Sequence, residues 1–330
     1  MSKSLGNVIA PEKVIKKHGA EILRLWVSAS DYRDDVRISE NVLKQMSDAY
    51  RRIRNTCRFM LGNLSDFDPA KDAVPYEEMY EIDRFALHAL QGLIGRCKAG
   101  YREYEFHIIY HSLFNFCTLD LSAFYLDVLK DLLYTSPKAS LARRSAQTAM
   151  CRILDAMVRI MAPVMIFTAE EIWKYMPVVS GKTDSVHQAD MPEINEKFCD
   201  EGLSKTWEKL LGVRREVTKV LEVARAEKKI GHPLDAEVTL WCDEALSEFL
   251  APYGEALSTV FITSMVRSAP IAEAGDDAVA TEMTGLSISV ARSTAEKCQR
   301  CWTHDTSVGT DSTHPEICTR CKSALAEGTA

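Results

Sequence analysis

Four cysteines near the end of the chain have the spacing of metal ligands. Two residues separate the members of each pair, and sixteen residues separate the two pairs, which are Cys298, Cys301, Cys318 and Cys321. Two thiolates on one tight turn can bind the same ion, and the intervening loop can bring the second pair to complete a tetrahedral site. The pattern predicts one structural Zn²⁺ with four protein ligands, which would have no open position for water and no catalytic role.

Other uses of these cysteines stay open on the sequence alone. Two disulfides or a redox-active pair would use the same residues, although a reducing cytoplasm opposes disulfides and a second matched pair makes a redox role unnecessary. His304 or His314 can also replace one thiolate as a zinc ligand. Beside the site, Arg300 is expected to contact RNA phosphate and Trp302 to stack on a base, or Trp302 instead covers the metal.

A second candidate site lies at the start of the chain, where a lysine stands between two serines. The run Ser2-Lys3-Ser4 resembles the second signature of class I aminoacyl-tRNA synthetases, a lysine-methionine-serine-lysine-serine loop, with its first lysine absent here. The resemblance implies that Lys3 binds ATP and neutralises the departing pyrophosphate when an amino acid attacks the α-phosphate. Ser2 and Ser4 would belong to the same catalytic loop as it closes over the phosphates.

Length and composition restrict the kind of protein that carries these sites. The chain has 330 residues, 46% of them hydrophobic, so it can form two or three domains with their own cores. The formal net charge of -7 argues against indiscriminate nucleic-acid binding but allows a basic face. Since the longest apolar run, residues 160–167, is too short to span a bilayer, we expect a cytoplasmic protein with no membrane contact.

Long amphipathic helices are predicted for the first two thirds of the chain. Ser39 is a suitable cap for a helix that ends at Gly62-Asn63, and residues 168–171 have the sequence of a capping box. Further helices are predicted over residues 76–104, 106–134, 141–161 and 168–176. The pattern indicates a bundle of about five helices.

Polar side chains on the bundle helices are candidates for binding. Arg51, Arg54 and Arg58 are spaced at i, i+3 and i+7, so they share one helix face that either contacts RNA phosphates or is only solvated. His107 and His111 have the i, i+4 spacing of metal ligands, but no acidic partner nearby completes a zinc-protease motif. We therefore expect these two histidines to pack or to lie on the surface.

The regions flanking the bundle have different patterns. Residues 1–38 are too few to bury Trp26 and its neighbours, so they should lean on the bundle or on a missing catalytic domain. After the bundle, a charged amphipathic helix is predicted over residues 205–229. Short strands are predicted over residues 236–242, 257–265 and 286–291, with a helix between the first two. The overall class is mainly α, followed by a small α+β module and a zinc-ribbon-like end.

Several longer stretches resemble bacterial isoleucyl-tRNA synthetases: residues 19–27, 31–39, 50–56 and 115–131. The resemblance extends across essentially the whole chain. It implies four regions, namely the end of a catalytic domain (1–38), a helical anticodon-binding domain (39–200), a junction domain (201–296) and a zinc-binding module (297–330).

The same resemblance implies a function for the chain. It would be the C-terminal, tRNA-binding portion of an enzyme that charges tRNA-Ile with isoleucine, beginning within the signature loop. The complete enzyme would be monomeric and would use ATP with Mg²⁺. Because the chain has no His-x-Gly-His type signature, nucleotide-binding sheet or editing domain, we expect it to be inactive without the missing N-terminal catalytic portion. The alternative is a free-standing tRNA-binding protein with a zinc module and no ligase activity.

Overall fold

The computed structural model describes Ser4 and residues 8–328, with only the backbone of Gly328. The chain forms two compact units. The first contains Met1–Asp127 and Ala139–Asp200, and the second contains Val128–Lys138 and Glu201–Ala330.

Helices make up the first unit and lead into the second. In chain order they are α1 (Pro11–His18), α2 (Ala20–Ala29), α3 (Glu40–Asn63), α4 (Pro69–Asp72), α5 (Glu81–Arg102), α6 (Phe106–Asn115), a π-helix (Phe116–Tyr125), α7 (Leu126–Thr135), α8 (Leu141–Met161) and α9 (Ile166–Tyr175). The core of the unit lies around α8, whose Met150, Ile153 and Met157 are completely buried. The predicted helical bundle is confirmed.

Local sequence signals explain several helix boundaries. The Ser39 hydroxyl accepts a hydrogen bond from the Val42 amide at 3.3 Å, so it caps α3 as predicted. Gly19 separates α1 from α2 with a φ of 91°, a conformation that is accessible to glycine at little cost. The predicted bounds of α8 are also those of the structure.

The predicted capping box at residues 168–171 is wrong. Helix α9 begins at Ile166, and no side chain at its N-cap position bonds to the first turn. Instead, the carboxylate of Glu21 accepts hydrogen bonds from the amides of Phe167 at 2.8 Å and Thr168 at 2.9 Å. The start of α9 is therefore capped by a residue of α2, which carries the negative charge that a helix N-terminus favours.

Helix α2 packs on the bundle. Besides the contact of Glu21 with α9, the guanidinium of Arg24 donates to the backbone carbonyls of Pro163 at 2.6 Å and Val164 at 3.0 Å. The indole of Trp26 donates to the Arg37 carbonyl at 3.2 Å. These contacts provide the support that a segment of this size cannot supply from its own core.

The predicted helix over residues 106–134 is not a uniform α-helix, because a ten-residue π-helix interrupts it. By length and composition, Phe106–Thr135 is the one stretch among the described helices that is long and apolar enough to cross a membrane. Half of its most apolar window is buried inside the protein, and α6 packs against α5. A core helix of a bundle passes the same test, so the observation is weak evidence for a membrane span.

The second unit combines helices with a small mixed sheet. Its helices are α10 (Glu201–Ala226), α11 (Glu244–Leu250), α12 (Ala256–Phe261) and α13 (Thr319–Gly328), together with the end of α7. Its strands are β1 (Ala236–Cys242), β2 (Met265–Pro270), β3 (Val279–Ala280) and β4 (Leu286–Arg292). The strand order is β2-β1-β4-β3, with β1 parallel to β2 and antiparallel to β4.

The strand predicted over residues 257–265 is wrong. Most of this segment is α12, and β2 begins only at Met265. Leu257, Val260 and Phe261 are buried, and their spacing of three and four residues is that of one helix face. The helix ends at Ile262, which adopts a left-handed conformation with a φ of 59°.

Candidate metal centre and nucleic-acid interface

The four cysteines of the predicted metal site come together in the second unit. Their sulfur atoms all lie within 4.8 Å of one another, and all four residues are buried: Cys298, Cys301, Cys318 and Cys321. Tetrahedral Zn–S bonds of about 2.3 Å correspond to sulfur separations of about 3.8 Å. The Sγ atoms of Cys301 and Cys318 are 3.8 Å apart, and all ten cysteines are free of disulfides. The arrangement fits a metal ion with four sulfur ligands in a closed tetrahedral geometry.

Each cysteine pair sits on a tight turn, as its spacing predicts. In the first turn the Trp302 amide donates to the Cys298 carbonyl at 2.9 Å, and Trp302 has a φ of 67°. The second pair lies at the start of α13, where the Lys322 amide donates to the Cys318 carbonyl at 3.0 Å. The left-handed conformation of Trp302 in the first turn and the start of α13 in the second orient both pairs of sulfur atoms toward the same point.

The electrostatics of the cluster also favour a cation. Burial opposes ionisation of Cys298. Hydrogen bonds from backbone amides, including those of Cys301 and Cys318, outweigh this effect and lower the pKa of the Cys298 thiol. Burial raises the pKa of Cys318 and Cys321, and electrostatic repulsion within the cluster raises both further. Four thiolates at this separation would repel one another, and a bound divalent metal would offset that repulsion.

Neither histidine that the sequence left open as a ligand joins the sulfur cluster. The Nδ1 atom of His304 lies 2.7 Å from the Ala295 carbonyl oxygen, and its Nε2 atom lies 3.4 Å from Asp235. The His304 amide also donates to the Ser264 hydroxyl at 2.7 Å. His304 therefore connects the first cysteine turn to the residues before β1 and β2 and to the segment after β4.

The cations beside the cysteines have partners within the second unit. Arg300 donates to the Thr135 carbonyl at 2.6 Å, Arg320 pairs with Asp131, and Lys322 pairs with Asp311. These partners could not be found from the sequence, because the interval between Arg300 and Thr135 is 165 residues and no local pattern connects them.

Trp302 has a different environment from that of the neighbouring arginines. Its side chain is 61% exposed, and the ammonium of Lys297 lies 6.0 Å from the centre of its ring. An exposed indole beside a cation can stack on an unpaired base while the cation approaches its phosphate.

The arginine stripe of α3 lies in the first unit. Arg51 pairs with Asp48, and the nearest nitrogen of Arg54 is 3.9 Å from the carboxylate of Glu171. Arg58 is exposed, and no described residue forms an ion pair with it. The stripe therefore contains one uncompensated cation and two that share carboxylates on the surface.

The candidate catalytic loop is mostly outside the described part of the chain. Ser2 and Lys3 are not among the described residues, and Ser4 is exposed. The ATP-binding role of Lys3 stays a prediction.

Three family models match consecutive parts of the chain. They are described as "tRNA synthetases class I (I, L, M and V)" at residues 1–39, "Anticodon-binding domain of tRNA ligase" at residues 83–240, and "Zinc finger found in FPG and IleRS" at residues 295–324. The third match includes all four clustered cysteines.

Curated relatives match almost the whole chain. "Isoleucine--tRNA ligase" of Geobacter sulfurreducens is 53% identical over 98% of this chain and 35% of its own length. The protein of the same name from Desulforamulus reducens is 50% identical over 99% of this chain and 35% of its own length. The chain thus spans about a third of the length of these relatives.

A weaker likeness exists to a solved structure, the "ternary complex of Agrobacterium radiobacter K84 agnB2 LeuRS-tRNA-LeuAMS". The TM-score is 0.46 and the identity is 21%, over 61% of this chain and 23% of that chain. A similarity this low does not bear on the function.

Proposed function

The chain belongs to the isoleucine-tRNA ligase family of class I synthetases, and we propose that it is the tRNA-binding portion of such an enzyme. The observation that carries the proposal is the 53% identity, which extends over 98% of this chain. The complete enzyme would activate isoleucine with ATP and Mg²⁺ and transfer it to tRNA-Ile in the cytoplasm. It would act as a monomer.

Within that enzyme, this chain would contribute binding more than chemistry. Lys3, with Ser2 and Ser4, would complete the phosphate-binding loop of the enzyme's catalytic portion. A lysine in such a loop stabilises negative charge as pyrophosphate departs.

The proposed cofactor of the chain itself is one structural Zn²⁺. Its ligands would be the sulfur atoms of the cluster, Cys298, Cys301, Cys318 and Cys321. The ion would supply folding free energy to a module that has little apolar core. In the part of the chain that the structure describes, two partly buried apolar side chains, Val308 and Ile317, pack against this cluster.

The proposed tRNA contacts lie in both units. On α3, Arg51, Arg54 and Arg58 would contact backbone phosphates, with Arg58 the most available of the three. In the zinc module Trp302 would stack on a base, while Arg300 can reach RNA only by leaving the Thr135 carbonyl.

Mixing experiments test this proposal against a free-standing tRNA-binding protein. The chain would be combined with a separately produced N-terminal portion of an isoleucine-tRNA ligase, and isoleucine-dependent ATP-pyrophosphate exchange would be measured. We expect exchange only in the mixture, together with tighter binding of tRNA-Ile than of a non-cognate tRNA by the chain alone. Binding of tRNA without any restored exchange would support the free-standing protein, and absence of tRNA binding would overturn both.

A further inference from the structure

The last residue of α1, His18, lies between two side chains of α3. Its Nε2 atom is 3.1 Å from the carboxylate of Glu40, and its Nδ1 atom is 3.5 Å from the hydroxyl oxygen of Ser47. The Ser47 hydroxyl donates its own hydrogen to the Leu43 carbonyl at 2.9 Å, so its oxygen can accept from the imidazole. The side chain of His18 is 13% exposed. The imidazole therefore joins the end of α1 to the first two turns of α3.

An apolar contact lies one turn earlier on the same face of α1. Val14 is four residues before His18, a spacing that puts both side chains on one side of a helix. Val14 is 3% exposed and forms a buried cluster with Ile22 of α2 and Leu43 of α3. The other side chains of α1 are exposed: Pro11, Glu12, Lys13, Ile15, Lys16 and Lys17. Helix α1 thus contacts its neighbours through one face.

Helix α1 depends on these contacts for its position. It has eight residues, whereas isolated helices shorter than about 12–15 residues are marginal in water. Gly19, with a φ of 91°, interrupts the helical path into α2. The ion pair of Lys17 with Glu40 joins two side chains that are 62% and 61% exposed, and exposed pairs contribute little. The shielded contacts of Val14 and His18 therefore fix α1.

The loop that carries Lys3 comes shortly before α1 in the chain. Pro11, the first residue of α1, is eight positions after Lys3. Ile9 packs against the same apolar cluster as Val14, so the chain is anchored six positions after Lys3. A lysine that neutralises departing pyrophosphate must be placed accurately, because a displacement of about 1 Å can cost about a hundredfold in rate.

We propose that His18 is a positioning residue for the loop that contains Lys3. The imidazole holds the end of α1 against α3, and α1 in turn restricts the positions that the loop can reach. His18 would touch no substrate and would affect the reaction through Lys3. The inference rests on the proposed function, because Lys3 has a catalytic role only as part of an isoleucine-tRNA ligase.

The test uses the full chain mixed with a separately produced N-terminal portion of an isoleucine-tRNA ligase. The kcat of ATP-pyrophosphate exchange and the KM for isoleucine would be measured. His18→Ala should lower kcat about tenfold and change KM by less than about twofold, since the loop acts on phosphates in the transition state. Lys16→Ala, at an exposed residue in the same helical turn, is the matched control and should retain the wild-type kcat.

A double-mutant cycle shows whether His18 acts through the loop. Lys3→Ala alone should lower kcat at least as much as His18→Ala does. In the Lys3→Ala background, His18→Ala should then reduce kcat by less than about twofold, because residues that act as a unit are not additive. His18→Gln should recover most of the wild-type kcat, since its amide nitrogen can replace Nε2 as a donor to Glu40.

A second measurement needs no activity. In the chain alone, His18→Ala should increase amide hydrogen exchange in residues 11–18 and leave the exchange of α8 unchanged, which also shows that the variant is folded. Unchanged exchange in residues 11–18 would overturn the inference.

The outcomes separate this inference from the proposed function. If the wild-type mixture shows exchange of pyrophosphate but His18→Ala keeps its kcat, the inference alone fails. It also fails if the effects of His18→Ala and Lys3→Ala multiply, or if His18→Gln is as slow as His18→Ala. If the wild-type mixture shows no exchange of pyrophosphate, the proposed function fails, and the role of His18 with it.

Discussion

Arg320 on α13 forms an ion pair with Asp131 on α7, although 189 residues separate them in the sequence. In the same part of the second unit, Arg300 donates to the carbonyl of Thr135, the last residue of α7. Both arginines are neighbours of clustered cysteines, so the two cysteine turns hold the end of α7 in place. A cation near a helix C-terminus also complements the negative end of the helix dipole.

Loss of the metal should therefore release the end of α7. In the full chain, Cys318→Ser should reduce bound zinc from one ion to none and increase amide hydrogen exchange in residues 128–138 as well as in residues 297–328. The measurements are zinc content and hydrogen exchange followed by mass spectrometry. The matched control is Cys199→Ser at an exposed cysteine. Unchanged zinc content in Cys318→Ser would reject the four-cysteine site.

Reversal of charge on the arginine stripe should weaken tRNA binding. Arg58→Glu removes a cation that has no ion-pair partner among the described side chains. The slope of log K against the logarithm of salt concentration should therefore decrease in magnitude by about one. The measurement is tRNA affinity across a series of salt concentrations. Arg102→Glu, at an exposed arginine on α5 that pairs with Glu103, is the control. Equal affinities at low salt would mean that the stripe is only solvated.

The Asp83 carboxyl should make the stability of the first unit depend on pH. Burial raises its pKa from 3.8 to about 6, although hydrogen bonds from Ser145 and Tyr125 oppose the shift. A raised carboxyl pKa means that the folded state binds the proton more tightly. The contribution of Asp83 to the free energy of unfolding is therefore most favourable below pH 4. About 3 kcal/mol of it is lost as the pH rises from about 4 to 6.

Denaturant unfolding at several pH values checks this sign. Asp83→Asn should flatten the pH dependence of the free energy of unfolding between pH 4 and 6.5, whereas Asp34→Asn, at an exposed carboxyl, should not. If the free energies of unfolding of the wild-type protein and of Asp83→Asn changed with pH in parallel, Asp83 would have an ordinary pKa.

Removal of the Glu21 charge should destabilise the contact between α2 and the bundle. Glu21→Gln keeps the shape of the side chain but weakens its hydrogen bonds to the Phe167 and Thr168 amides, at a cost of about 1 kcal/mol. The readout is the free energy of unfolding, with Glu12→Gln on the exposed face of α1 as the control. Equal losses in both variants would indicate that the cap contributes nothing specific.

Errors in the sequence predictions have a common physical origin. The capping box at residues 168–171 has the right residue types, but the amides at the start of α9 bind Glu21 from a distant helix. Residues 257–265 are rich in strand-forming side chains, yet their buried positions follow a helical period. In both segments, burial against residues far along the chain outweighed a local preference.

The sequence by itself determined what depends on neighbours along the chain: the spacing of the four cysteines, the cap of α3 at Ser39, and the apolar stripes that require a bundle. These features follow from backbone geometry over a few residues. Only the tertiary structure decided that Arg300 and Arg320 hold α7 and that Glu21 of α2 caps α9. Such relationships are set by packing between residues tens to hundreds of positions apart, and no local periodicity encodes which of them meet.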